Sequence, residues 1–166
     1  LPNTITVNPI PTIQLNGQDS ICIGSTTNFL PSSGGSWVSL NPSVASISAT
    51  GLVTGLSSGS ARFYFINTTT GCPSSPSDFI TINEKPSIVP NNDLNLCQGE
   101  TTTFVVSGSG TWVSSNPTVA SITNTGIVTA IVPGYARFVF TNQLTGCSSD
   151  SSDYVQVLPS PSIFLN

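Results

Sequence analysis

Apolar and polar residues alternate along this chain in short runs, separated by clusters of Gly, Pro, Asn and Ser. No stretch of ten residues carries the three-to-four-residue apolar spacing of a helix. In Ala61-Arg62-Phe63-Tyr64-Phe65, residues Ala61, Phe63 and Phe65 fall on one face of an extended strand, with Arg62 and Tyr64 on the other. Ile80 and Ile82 give a closing strand with the same alternation. The pattern predicts strands near 13–15, 26–30, 35–39, 44–48, 51–54, 60–66 and 79–83. Asn41-Pro42 and Ala49-Thr50-Gly51 mark turns between them, since Pro presets φ and Gly accepts positive φ.

The whole pattern returns 75 residues later without insertion or deletion: Cys22 recurs as Cys97, Trp37 as Trp112, Arg62 as Arg137, and Cys72 as Cys147. Laying 11–85 over 86–160 gives 35 identical positions of 75. The inward face of the 61–65 strand is kept as Ala136, Phe138 and Phe140, while Tyr64 drifts to Val139 and Ile66 to Thr141. A half-buried antiparallel strand holds one face and releases the other in this way. The period is longer than the 20–50 residues of solenoids and matches a small domain able to bury its own core. The expectation is an all-β chain of two tandem immunoglobulin-like β-sandwich domains, 11–85 and 86–160, arranged end to end, seven strands in each. Residues 1–10 match the tail of a preceding repeat, through Ile5-Thr6-Val7, and 161–166 the start of a following one, through Pro161-Ser162-Ile163. Short junctions marked by Pro9, Pro11, Pro86, Pro159 and Pro161 suggest semi-rigid linkers, an extended rod and a small inter-domain contact. The expected core residues are Phe29, Trp37, Ile47, Phe63 and Phe65, with Phe104, Trp112, Ile122, Phe138 and Phe140 in the second copy.

Composition narrows the class. Charged residues make up 6% of the chain, with three cations, seven anions and no His, for a net charge of −4. Disordered chains combine high charge with low hydrophobicity, whereas 37% of these residues are hydrophobic. Three scattered cations argue against nucleic acid and anionic lipid as partners. No apolar run approaches the ~20 residues that span a bilayer, so membrane insertion is not expected.

Each repeat holds two cysteines 50 positions apart. The economical pairing is Cys22–Cys72 and Cys97–Cys147, each worth roughly 4 kcal/mol in the chain-entropy model. Four buried thiols are the alternative, and a zinc site lacks His and any Cys-x-x-Cys pair. Disulfides imply an oxidising compartment, hence an exported or surface protein.

Catalytic chemistry finds little support. A nucleophile needs a base beside it, and with no His and Lys85 as the one Lys, neither repeat offers such a pair. No phosphate-binding loop or metalloprotease motif occurs, and an enzyme is not expected. Arg62 and Arg137 hold one position in the two repeats, and Asp78 and Asp153 another. These four suit a ligand or cation role, or strand-edge charges and loop caps. Glu84, Asn91, Asn92 and Asp93 offer the oxygen ligands Ca²⁺ takes, as do Asn8 and 16–19 less well, although polar loops without metal look the same. Cofactors are otherwise not expected.

The phrase Trp37-Val38-Ser39-Leu40-Asn41-Pro42-Ser43-Val44-Ala45-Ser46-Ile47, then Gly51-Leu52-Val53-Thr54-Gly55 and Gly59-Ser60-Ala61, resembles the bacterial immunoglobulin-like group 2 domain. The match covers the middle of both repeats, departing where Gly55 becomes Ala130 and Ser58 becomes Pro133. The added Cys22, Gly24, Thr26 opening and the Thr70-Gly71-Cys72 close are similar to repeats of large Bacteroidetes-type surface adhesins, the SprB-like gliding-motility adhesins among them. That resemblance implies export to the cell surface and a structural or adhesive stalk role. Its partners would be neighbouring repeats of the same chain and, in the rival reading, surface polysaccharide or another extracellular ligand recognised by each repeat. A solvent-facing aromatic cluster would favour the rival, yet most aromatics fall on the inferred inward faces.

Overall fold

The alternating runs form strands in the computed structural model of the chain, which describes residues 5–161. The chain divides into two units, Leu1–Glu84 and Lys85–Asn166. In the first unit the strands are β1 (Gln14–Leu15), β2 (Ser20–Cys22), β3 (Thr26–Leu30), β4 (Gly35–Ser39), β5 (Ala45–Ile47), β6 (Leu52–Gly55), β7 (Gly59–Ala61), β8 (Phe63–Asn67) and β9 (Ile80–Asn83). The second unit repeats them as β10 (Val89–Pro90), β11 (Asn95–Cys97), β12 (Thr101–Val105), β13 (Gly110–Ser114), β14 (Ala120–Ile122), β15 (Ile127–Ala130), β16 (Gly134–Ala136), β17 (Phe138–Asn142) and β18 (Val155–Leu158). Residues 5–10 form no strand and are exposed. The matches of 1–4 and 162–166 to neighbouring repeats lie outside the described residues.

Among the described residues each unit therefore has nine short strands where the pattern suggested seven, and the two extra ones have physical causes. The run 60–66 is extended throughout but changes partner at Arg62: Ala61 pairs with Ile80 of β9, whereas Phe63 pairs with Ser39 of β4. The other extra strand, β2, is three residues long and pairs in parallel with β9, some sixty residues away. No local pattern records so distant a partner. The resulting sheets are β1-β3-β6-β5, β2-β9-β7 and β4-β8, and the second unit has the same three.

The core of the first unit lies between these sheets. Phe29, Ala45 and Val53 come from the four-stranded sheet, and Trp37, Ala61, Phe63, Phe65, Ile80, Ile82 and Ile21 from the other two. Phe104, Trp112, Phe138 and Phe140 are buried at the matching places of the second unit. Ile47 and Ile122 are half-buried against these clusters.

The Trp-x-Ser-x-Asn-Pro phrase has a structural explanation. Trp37 fills the core, and its indole N–H donates to the Pro31 carbonyl at 3.1 Å. Ser39 Oγ donates to the Ala45 carbonyl at 2.7 Å and accepts from the Asn41 amide at 3.2 Å. The Asn41 carbonyl then accepts from Val44 and Ala45. The phrase thus fastens the turn between β4 and β5, and Ser114 and Asn116 repeat the two bonds of Ser39. In Gly-x-Val-Thr-Gly, Gly51 has φ 84°, and a Cβ there would meet the Phe29 carbonyl oxygen.

Ser74 and Ser77 supply a device no pattern predicted. Residues 73–77 run back along β8, with the Ser74 and Ser77 amides donating to Phe65 and Phe63 carbonyls at 2.7 Å each. Their hydroxyls accept the Phe65 and Phe63 amides at 3.0 and 3.1 Å. Serine side chains here stand in for the strand partner that β8 lacks on that edge. Ser149 and Ser152 do the same for Phe140 and Phe138.

Candidate functional site

The cysteines depart from the expected pairing. Cys22 and Cys147 are disulfide-bonded, while Cys72 and Cys97 carry free thiols, so Cys22–Cys72 and Cys97–Cys147 are not formed. The reason lies within each unit. Cys22 sits beside Asn83 at one end of its sheet. Cys72 sits past the far end of β8, where its carbonyl accepts from the Asn67 amide. Between Cys72 and Asn83 the chain runs extended along β8 and then β7, which at about 3.3 Å per residue places the two ends roughly 30 Å apart. A disulfide requires Cα atoms within about 7 Å. Cys97, paired with Leu158, and Cys147, bonded to Asn142, stand at opposite ends of the second unit in the same way.

The oxygen-rich loop is occupied with itself. Asp93 Oδ1 accepts from the Asn95 amide at 3.0 Å and the Asn95 side chain at 3.3 Å. The Asn95 and Leu94 backbone amides hold the Asp93 carboxyl below its ordinary value. Among the described residues, no group of three or more His, Cys, Asp and Glu is placed to hold a metal ion. Glu84, Asn91 and Asn92 are exposed loop residues. Asp78 and Asp153 are exposed and serve through their carbonyls, which accept from Ser77 and Ser152 Oγ at 2.7 Å.

The two arginines mark the place where the repeats part. Both emerge where the chain leaves the three-stranded sheet, on the outer face opposite the buried Ala61 and Ala136. Arg62 stacks over Phe79 with its guanidinium carbon 5.0 Å from the ring centre, and its Nε donates to the Ser77 carbonyl at 2.7 Å. Arg137 lies closer to its ring, 4.0 Å over Tyr154. Among the described residues its side chain makes no hydrogen bond or ion pair, even with the adjacent Asp153. Tyr154 packs edge-on against Tyr135 with centres 5.9 Å apart. Gln156, opposite Tyr135 in register, continues the same face. In the first unit Ser60, Phe79 and Thr81 occupy those places.

Most aromatics lie in the cores, as the alternation implied, and this face is the exception. Tyr135 is 57% exposed and Tyr154 55%, as is Phe79 at 57%. The signal was available in the alternation: Tyr135 and Tyr154 are out of phase with the inward Ala136 and Val155, and both differ from their copies in the first repeat.

With fold and face described, the chain can be placed among known proteins. The model of the bacterial Ig-like domain (group 2) matches residues 25–69 and 77–146, more than half of the chain. The chain belongs to that family, a class of immunoglobulin-like domains that is generally non-catalytic. Among solved structures, a C-terminal 282-residue fragment of intimin, in complex with the intimin-binding domain of the translocated intimin receptor, is similar at 13% identity. That likeness covers 90% of this chain with a TM-score of 0.56, and the chain spans 64% of the fragment. Domains 4 and 5 of the S-layer protein SbsC are 12% identical over 91% of this chain and 100% of theirs, with a TM-score of 0.39. At 13% identity the likeness to the intimin fragment is one of fold. No curated protein matches the chain.

Proposed function

We propose that this chain is a spacing and adhesive module of a bacterial cell-surface adhesin, of the SprB-like, gliding-motility kind. The observation carrying this reading is the duplication itself. Two group 2 immunoglobulin-like sandwiches have separate cores built from matching residues, one strand order and one set of turn bonds, and among the described residues neither holds a group of three or more His, Cys, Asp and Glu. Duplicated sandwiches without chemistry suit extension and presentation of surface. The disulfide adds support for an oxidising, extracellular location. The intimin fragment, whose structure was solved with a receptor domain, shows that a similar fold occurs in a protein that engages a partner.

The test is antibody labelling of intact cells that express the parent protein, paired with protease shaving. Surface signal that disappears on shaving is the expected result. Signal seen only after lysis would overturn the reading. The rival, glycan recognition by every repeat, requires an aromatic face in both units, and the units differ there.

A further inference from the structure

We infer that the outer face of the β11-β18-β16 sheet in the second repeat is a binding site for an acidic glycan, one bearing uronate carboxylates. This goes beyond the spacer role, since spacing requires no ligand. Tyr154 and Tyr135 present exposed rings, to which the C–H face of a pyranose ring can stack. Arg137 stands over Tyr154 with its guanidinium donors unpartnered among the described residues. A planar fork of this kind matches a carboxylate in two parallel bonds. The stacking on Tyr154 holds the long side chain in place and so reduces the rotamer freedom lost on binding. Gln156 adds amide donor and acceptor groups for hydroxyls.

Charge complementarity decides the class of glycan. The chain has only three cations, and this one is spent neither on Asp153 nor on a backbone carbonyl. A neutral sugar would leave that charge unused. The first repeat shows the same position in a closed form: Arg62 is tied to the Ser77 carbonyl, one ring remains, and Ser60 replaces the second tyrosine. It serves as an internal control.

The experiment titrates the whole two-repeat chain with hexameric oligogalacturonate, hexameric oligomannuronate and neutral maltohexaose, by calorimetry and by shifts of the tyrosine ring resonances. A uronate hexamer is expected to bind at least about tenfold tighter than maltohexaose. Arg137→Gln and Tyr154→Ala should each weaken it about tenfold or more. Arg62→Gln and Phe79→Ala should leave it unchanged. Both tyrosines are surface residues, so folding is checked by the dispersion of the core methyl resonances. Equal binding of maltohexaose, indifference to Arg137→Gln, sensitivity to Arg62→Gln, or no saturable binding at millimolar uronate would each overturn the site. The surface-labelling result is independent of all four.

Discussion

The two repeats agree inside and disagree outside. Ring centres of Phe29 and Phe63 lie 5.6 Å apart, and those of Phe104 and Phe138 also 5.6 Å. Trp37 and Phe65 are separated by 5.2 Å, Trp112 and Phe140 by 5.1 Å. On the outer face, by contrast, Ser60 becomes Tyr135, Phe79 becomes Tyr154 and Thr81 becomes Gln156. Packing at organic-crystal density leaves the interior little latitude, because one methylene is felt. The outer face meets water and is free to diverge. Difference between copies of one fold is therefore where individual function is to be sought, and identity is where the fold is held.

The interior half of that comparison breaks first at Gly51 and Gly126. Both have positive φ, 84° and 83°, and in both a Cβ would meet a carbonyl oxygen, of Phe29 or Phe104. Strain in φ and overlap with backbone add, and neither can be relieved by a side chain moving. Gly51→Ala and Gly126→Ala should each cost about 3 kcal/mol or more in the repeat that carries them. Hydrogen exchange read by mass spectrometry resolves the two repeats in one sample. A loss confined to the mutated repeat, and equal between the two variants, is expected.

Next come the serines that complete β8 and β17. Ser77→Ala orphans the buried Phe63 amide, and Ser152→Ala that of Phe138. A buried donor left without its partner costs about 1–3 kcal/mol. Ser75→Ala, exposed and one residue from Ser74, is the control and should change nothing measurable. Comparable losses in Ser77→Ala and Ser75→Ala would show that the hydroxyl bonds do not hold this edge.

These serines also show what the sequence makes legible. The inward alternation of Ala61, Phe63 and Phe65, the turn at Asn41-Pro42 and the repeat period are local or periodic signals, and they point to the sandwich without a structure. Ser74 and Ser77 read as loop, because hydroxyls replacing a strand leave no apolar pattern. Their retention at Ser149 and Ser152, among neighbours that changed, was the available clue. The cysteines misled for a related reason. Fifty residues is a sensible loop for a disulfide, but spacing along the chain does not say which end of a sandwich each residue reaches. Arg137 was singled out by position, whereas its lack of a partner is a property of the third dimension only.

A smaller effect, opposite in sign, is expected at Thr27 and Thr102. Each hydroxyl is buried at the same place of its repeat and has no hydrogen-bond partner among the described residues. Exchanging it for a methyl group of similar shape removes an unsatisfied polar atom. Thr27→Val and Thr102→Val should therefore raise stability by up to about 1 kcal/mol each, seen as a higher denaturant midpoint with unchanged slope. The surroundings differ, since Thr27 Oγ1 lies close under Gly17 whereas the equivalent residue beside Thr102 is Asn92. A lower midpoint in either variant would show that the buried hydroxyl is satisfied in the folded chain.

The smallest effect separates the repeats by pH. Asp93 stands where the first repeat has Gln18. The backbone amides of Asn95 and Leu94 favour its ionised form and hold its carboxyl below the ordinary value of 3.8. A folded-state value below the unfolded one means that the unfolded chain binds the proton more readily. The contribution to stability is then complete above the ordinary carboxylate range and is lost as pH falls through the folded-state value. Asp93 is fully exposed, so salt screens the effect and it remains slight. Between neutral pH and acid below the ordinary value, the loop around Asn95 in the second repeat should gain exchange relative to the matching loop at Ser20 in the first. Asp93→Asn keeps an acceptor but removes the titration, and it should flatten that difference. An acid response that persists in Asp93→Asn would place its origin elsewhere in the second repeat.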